Sequence, residues 1–352
     1  MGCFNFKKLK NWEYWPSYMF YIPNLPYAFY LAIRAKNLVF FSTTNPAIKH
    51  SGNGSESKYS TLQLIPEIYK PLSIFIKKNE NLNTVLKLIN EKSINFPLII
   101  KPDIGFRGLL VKKINTKNEL LEYLSHNNYI DLIIQEFIDY KNECGIFYHR
   151  IPGQLKGEIS SITLKKFLSV TGDGVSSLKE LIFADDRAIN YVDILIELHQ
   201  KEFPIIIPKG KIKILSNIGN HSKGTQFING NHLITPELET AIDTIFQKIP
   251  NWYYGRLDIK YNSFEALKQL KEFKIIEING IISEPTHIYD PFKSTYLQAL
   301  KEIRKHWKLI YKIAVLNHSE NHIKYDSINE FIRSIISLKK YSKQIKLKEL
   351  SN

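Results

Sequence analysis

The apolar positions of this chain switch repeatedly between a recurrence every three or four residues and a recurrence every second residue, the signatures of helix and of half-buried strand. The first pattern predicts helices at residues 58–65, 82–91, 119–124, 236–247 and 298–313. Extended runs are predicted at 72–76, 96–101, 109–113 and 132–138. Further on, hairpin-like strands alternate with turns at Pro152-Gly153, Gly172-Asp173-Gly174 and Asn229-Gly230-Asn231. Ser177 and Glu180 stand at the spacing of a capping box and predict the start of a short helix. Strands and helices mixed in this order argue an α+β fold. A small polar tract at residues 50–57 marks a division. It separates an aromatic-rich N-terminal segment, 1–57, from α+β units over 58–140 and 141–318 and a charged, helical-patterned tail, 319–352.

With 352 residues, 44% of them hydrophobic, the chain is long enough to build two or three packed subdomains. Its formal charge of +14 favours polyanions. The lysines are scattered, however, and form no dense basic block, so dedicated nucleic-acid binding is not expected. Cys3 and Cys144 are the two cysteines and lie far apart, which argues against a disulfide framework and fits a reducing, cytoplasmic compartment. Residues 12–41 are dense in aromatics. Pro16, Pro23 and Pro26 interrupt them and Glu13 and Arg34 flank their apolar part, so they make a poor membrane-spanning helix. Two readings of this segment stand: buried packing against the rest of the chain, or peripheral contact with a membrane interface, where Trp and Tyr are comfortable. Gly2-Cys3 hints at acylation, but Phe6 stands where a myristoylation signal wants Ser or Thr.

The chemistry concentrates in two predicted strands, residues 254–260 and 273–279. Alternation puts Arg256 and Asp258 on one face with Leu257 and Ile259 turned to the core, and puts Glu277 and Asn279 on one face with Ile276 and Ile278 on the other. If the strands pair, two carboxylates and an amide oxygen meet beside one arginine. Two carboxylates about 4 Å apart repel by roughly 4 kcal/mol at an effective dielectric near 20, so such a cluster needs a counterion. An all-oxygen set of this kind suits magnesium with phosphate oxygens as further ligands. Upstream, Lys101 ends a buried-looking strand just before a turn in which Gly105 and Gly108 let backbone amides approach phosphate. Lys58 opens the preceding helix. Glu136 and Glu143, seven apart, could bracket a nucleoside, with the backbone from Glu136 through Phe137 to Ile138 reading the adenine edge, or could simply form a charged turn.

In this order the residues resemble the ATP-grasp superfamily, above all D-alanine:D-alanine ligase and related carboxylate-amine ligases, over residues 58–289. The resemblance implies an ATP-grasp fold in which two α+β subdomains clasp ATP, here with an N-terminal extension. It implies that Lys58 and Lys101 contact ATP phosphates, that Glu136 and Glu143 serve adenine and ribose, and that Asp258, Glu277 and Asn279 hold Mg2+ (or Mn2+). Arg256, after Gly255, would steady the acyl-phosphate or tetrahedral species. The implied activity is ATP-dependent ligation: a small carboxylate is activated as an acyl phosphate and joined to an amine or similar nucleophile, releasing ADP and phosphate. The ligase pattern continues after the asparagine with a small residue and Pro-Gly. Here Asn279 is followed by Gly280-Ile-Ile-Ser-Glu-Pro285, so D-alanine specificity does not carry over. Residues 170–182 look more like cyanophycin synthetase and its relatives. Asn217 to Gly224 is a candidate loop closing over the γ-phosphate with Lys223 reaching inward, and His287 and Asp290 are candidates for the acceptor pocket. Two alternatives accompany the ligase reading: an ATP-grasp small-molecule phosphotransferase, and a non-catalytic ATP-binding protein docked at a membrane surface.

Overall fold

A computed structural model describes residues 11–105, 108–216 and 218–349, the last three by backbone alone. The acylation hint at Gly2, Cys3 and Phe6 lies outside the described residues, as do Phe106 and Arg107 of the glycine turn and Asn217 of the candidate loop.

The first unit is an antiparallel sheet of β1 (Ser73–Ile76), β2 (Leu98–Pro102), β3 (Lys112–Ile114) and β4 (Leu132–Glu136) in the order β1-β4-β2-β3. Helices Leu82–Glu91 and Lys117–Asn127 cover one face, burying Val85, Ile89, Leu120 and Leu124 against Ile74, Leu98, Ile100 and Ile134. Both helices begin as their sequences require: Asn81 accepts from Asn83 N and Thr116 from Glu119 N, satisfying donors that the first turn leaves open. The strand predicted from residue 109 starts only at Lys112. Leu110 takes a left-handed backbone, φ 56°, and its carbonyl accepts from the Tyr123 hydroxyl at 2.7 Å. The run predicted to residue 138 likewise ends at Glu136, where the chain crosses to the second unit.

That unit is a five-stranded antiparallel sheet of β5 (Asn142–His149), β6 (Glu158–Lys166), β9 (Gln226–Asn229), β10 (Tyr254–Tyr261) and β11 (Phe273–Asn279), ordered β11-β10-β5-β6-β9. Between β6 and β9 the short pair β7 (Ser169–Thr171) and β8 (Ile212–Ile214) carries its own core of Leu168, Leu178, Ile182 and Leu195. Alternation gives the large sheet two faces. Cys144, Ile146, Ile162, Leu257 and Ile259 pack under helix Pro236–Phe246, while the polar residues of the same strands face the first unit. Burial pushes the Cys144 thiol up, so it stays protonated and inert.

Of the three predicted turns, Pro152-Gly153 joins the β5–β6 hairpin. Gly172 to Gly174 leads instead into the capping box of helix Leu178–Ala184, and Asn229 to Asn231 into helix Pro236–Phe246. The polar tract 50–57 does not behave as a solvated linker. Ser51 and Asn53 are buried, and the Ile281 and Ile282 amides each donate to it, to Ser51 O and Gly52 O, at 3.0 Å. The tail is not solvated throughout either: helix Ile328–Glu349 places Ile345, 1% exposed, in the core of the first sheet.

The N-terminal segment packs by its inner side. Phe20 is fully buried against Ile288, Ala299 and Ile303, and Glu13, 4% exposed, accepts from Arg187 at 2.7 Å and pairs with His221 at 2.9 Å. No helix among the described residues is long and apolar enough to cross a membrane. Burial alone would raise the Glu13 pKa; His221 and Arg187 more than reverse this, and it is lowered. A depressed carboxylate stabilises the fold above its unfolded value and loses that contribution as pH falls through the folded one. Glu13→Ala, which strands Arg187 and His221, is therefore expected to cost about 3 kcal/mol at neutral pH by denaturant unfolding. The gap to wild type should narrow as pH drops below 4.5, the free-glutamate value; a pH-independent gap would contradict the charge argument.

Candidate active site

The polar face of the large sheet and the open face of the first enclose a cleft of about 1280 Å³. In its floor, β10 and β11 pair so that Asp258 lies directly opposite Glu277 and Arg256 opposite Asn279. Gly255 permits this closeness, since a Cβ there would stand 2.0 Å from Asn279 O. The register then slips: Ile259 faces Ile275, leaving Ile276 as an extra residue in β11. Ile276 is consequently not on the core face expected for it. Ile275 takes the core position, while Ile276 lines the cleft and its carbonyl accepts from the Lys101 ammonium at 3.4 Å.

Each carboxylate has cations. Arg256 forks onto Asp258, Nε to Oδ1 at 3.0 Å and Nη2 to Oδ2 at 3.2 Å, and Lys165 stands 3.4 Å from the same Oδ1. Burial would raise the Asp258 pKa; Arg256 and then Lys165 outweigh it and hold the carboxyl well below the usual range. The Lys58 ammonium donates to Glu277, whose pKa burial would raise but Lys58 and Lys101 lower. Burial would depress Lys58 in turn, and Glu277, Glu56 and Asp258 raise it instead. Lys101 differs. It meets neutral oxygens, Gln135 Oε1 at 3.3 Å and Ile276 O, and burial outweighs the pull of Glu277 to lower its pKa.

The first unit is registered to this floor by Asp103, which follows β2. Its carboxylate accepts from Tyr59 N and the Ser57 hydroxyl, both at 2.9 Å, and its carbonyl from Lys58 N, fixing the start of helix Lys58–Gln63 beside Lys101. Of the two turn glycines, Gly105 lies in ordinary contact range of Lys58. Gly108 is required to be glycine: its φ is +77° and a Cβ would stand 2.7 Å from Ile218. At the crossing between units, Glu136 accepts from Leu72 N, Phe137 lies under the Lys113 ammonium at 3.8 Å, and Ile138 is buried. Glu143, 6% exposed, accepts from Lys165 at 2.7 Å and lies across from it in the β5–β6 register.

Three predicted residues stand apart from the cleft lining. Lys223 sits in the one-turn helix His221–Lys223 and is not in the cleft lining, whereas Ile218 to Ser222 of that loop are, with His221 held by Glu13. His287 is 4% exposed and its imidazole is driven down to about 4 by burial, with Lys305 adding to it, so it is neutral. Asp290 accepts from Asn229 N at 2.8 Å and Phe292 N at 3.0 Å, fastening the chain after β11 to the end of β9. In the other direction, Lys165 was not anticipated. Its signal is the alternation Ser161, Thr163, Lys165 along β6, which acquires meaning only once Glu143 is its cross-strand neighbour.

Residues 55–169 match the RimK-like ATP-grasp domain family. This segment is an ATP-grasp domain. Its match takes in Lys58, Lys101, Glu136, Glu143 and Lys165, about a third of the chain, and ends before β10 and β11. The match thus covers the first unit and strands β5 and β6 of the second, and reaches the first residue of β7. Among solved structures, D-alanine–D-alanine ligase from Bacillus anthracis is similar at 14% identity over 75% of this chain and 68% of its own, TM-score 0.42. VanG D-Ala:D-Ser ligase from Enterococcus faecalis is similar at 15% identity over 74% and 64%, TM-score 0.42. A bifunctional glutathione synthetase from Pasteurella multocida gives 15% identity over 72% and 38%, TM-score 0.38. The chain thus spans less than two fifths of that synthetase and under two thirds of VanG. No curated protein sequence matches it.

Within the cleft, Lys165 separates two buried carboxylates, Glu143 and Asp258. Lys165→Met is expected to cost about 3 kcal/mol at neutral pH, because both acids lose their shared cation. The Asp258 pKa, which Lys165 helps to hold down, then rises, so the variant's deficit should shrink on acidification and its maximum melting temperature shift to lower pH than wild type. Parallel melting curves across pH would show that the lysine does not carry this compensation.

Proposed function

We propose that the protein is an ATP-dependent ligase that activates a carboxylate as an acyl phosphate and joins it to an amine or similar nucleophile, giving ADP and phosphate. The observation that carries this reading is the convergence of Lys58, Lys101, Lys165 and Arg256 around Asp258, Glu277 and Asn279 along one cleft wall. A site that gathers phosphates and a substrate carboxylate needs fixed positive charge of this kind, because its catalysis rests on positioning and electrostatic stabilisation.

Asp258, Glu277 and Asn279 would hold Mg2+ (or Mn2+). The fit rests on the donor set, which is all oxygen: the Asp258 and Glu277 carboxylates face one another, and the Asn279 side-chain amide stands two residues along β11 from Glu277 in the same cleft lining. Magnesium needs few protein oxygens, taking its remaining ligands from phosphate and water. Bound there, the ion supplies charge neutralisation at the transferring phosphoryl group.

The chain's own groups then divide the work. Lys58 exchanges Glu277 for a phosphate oxygen, and Lys101, now on neutral oxygens, gains its first full anionic partner. Glu136, Phe137 and Ile138 receive the base at the crossing between units, with Glu143 beside the ribose. Arg256 steadies the substrate carboxylate while one of its oxygens attacks the γ-phosphorus and the bond to ADP breaks. The amine then attacks the acyl carbon, loses a proton and expels phosphate. Lys223, His287 and Asp290 support loops around the site in this reading rather than touching reactants.

ADP release screened against pooled amino acids, hydroxy acids and short peptides should identify a substrate pool with free phosphate formed in equal amount. ADP with a phosphorylated product and no free phosphate would select phosphotransfer instead. Asp258→Asn and Glu277→Gln are each expected to lower turnover by roughly a hundredfold or more while the circular dichroism spectrum is retained. Unchanged turnover in both variants would remove the reading.

A further inference from the structure

The N-terminal segment buries one side and leaves the other bare. Helix Tyr18–Tyr21, the turn Ile22–Asn24 and helix Leu25–Arg34 follow one another without a break. Along them Tyr18, Ile22, Leu25, Phe29 and Ile33 are 56, 58, 43, 59 and 75% exposed. Their spacing of four, three, four and four residues puts them on a single face, a stripe about 25 Å long. Phe20, Asn24 and Leu31, on the opposite side, are buried. An apolar stripe of this length is too costly to leave in water without a partner.

Charge identifies the partner. The segment lies parallel to helix Tyr296–Ser319: the Tyr296 hydroxyl donates to Met19 O, Arg304 Nε donates to Asn24 Oδ1 at 2.6 Å, Trp307 stacks on Tyr21 and Arg34 lies 5.7 Å from the Tyr311 ring. On that helix, Ile303, Ile310 and Ala314 face the core, and Trp307 and Tyr311 face the segment. The next face round, turned to solvent beside the stripe, holds Lys301, Lys305, Lys308 and Lys312, all exposed. Glu302 is the single acid of the helix, and residues 18–41 contain none. Two copies meeting through this face would bring lysine rows together, which disfavours self-association. A bare apolar stripe with flanking aromatics and a lysine row is the pattern of a helix lying in the interface of an anionic bilayer.

We propose that the outer face of residues 18–34 seats the protein on an anionic lipid surface, the stripe entering the acyl boundary and the lysine row meeting the headgroups. Tyr21 of the same segment, with Trp15 and Ser17 just before it, lines the cleft, so the membrane lies one helix away from the site. The inference stands on this surface alone and does not depend on the ligase reading.

Co-sedimentation of the full chain with vesicles tests it. Binding is expected to phosphatidylcholine vesicles containing about 30% phosphatidylglycerol, to weaken with added salt, and to be much lower on phosphatidylcholine alone. Phe29→Glu with Ile33→Glu should lower partitioning roughly tenfold or more, with the melting temperature retained. Lys305→Glu with Lys308→Glu should remove the preference for anionic vesicles, and serves as the second arm if the first variant does not fold. Absence of binding by wild type, or equal binding by both double variants, would overturn the proposal. A dimer in light scattering that dissociates in Phe29→Glu/Ile33→Glu, without vesicle binding by wild type, would assign the face to a second copy instead.

Discussion

Asp258 and Glu277 face one another across two paired strands in the wall of a partly enclosed cleft, and everything around them can be read as the cost of keeping both ionised. Like charges about 4 Å apart repel by roughly 4 kcal/mol at an effective dielectric near 20, and partial burial adds a desolvation cost for each. The protein answers with a separate set of cations for each acid: Arg256 and Lys165 for Asp258, Lys58 and Lys101 for Glu277. The donors come from four places in the chain, so the pair exists only when both α+β units are folded and in contact. Conversely, the charge network is one of the things that holds the units in register.

Much of this was legible before any coordinates, because strand alternation is a strong constraint. Arg256, Asp258, Glu277 and Asn279 could be assigned to shared faces from period two alone, and Lys58 and Lys101 from their places at the start of a helix and the end of a strand. What alternation could not supply was register. Ile275-Ile276-Glu277-Ile278-Asn279 reads equally well with or without an extra residue, so the bulge that turns Ile276 toward the cleft left no trace in the pattern. Lys165 was missed for the same reason: its importance lies in which residues it is opposite. Lys223 shows a different limit of the pattern. A lysine in a glycine-flanked loop reads as a reaching charge, whereas here the Asn220-capped turn lines the cleft with His221 and Ser222 and leaves Lys223 outside the lining.

The two readings of the aromatic N-terminus were not exclusive. A helix has two sides, and this one spends Phe20 and Leu31 on the core while Phe29 and Ile33 remain outside. Sequence composition sums over both sides and so could not divide them. The buried Glu13, which as a lone acid in an aromatic stretch looked like a flanking charge, pins that segment to Arg187 and His221 and thereby to a loop of the cleft.

The last helix, Ile328–Glu349, touches both halves of the molecule. Near its start Phe331 meets Phe41, whose neighbours reach the large sheet, and Ser334 accepts from Asn53; near its end Ile345 is sunk in the first sheet. A rigid rod fastened at both ends to two bodies sets the distance between them. Any widening of the gap for a nucleotide to enter therefore has to be absorbed along this rod, by bending it or by drawing one of its anchors out, which makes a segment far from the reacting atoms a determinant of how readily they are reached.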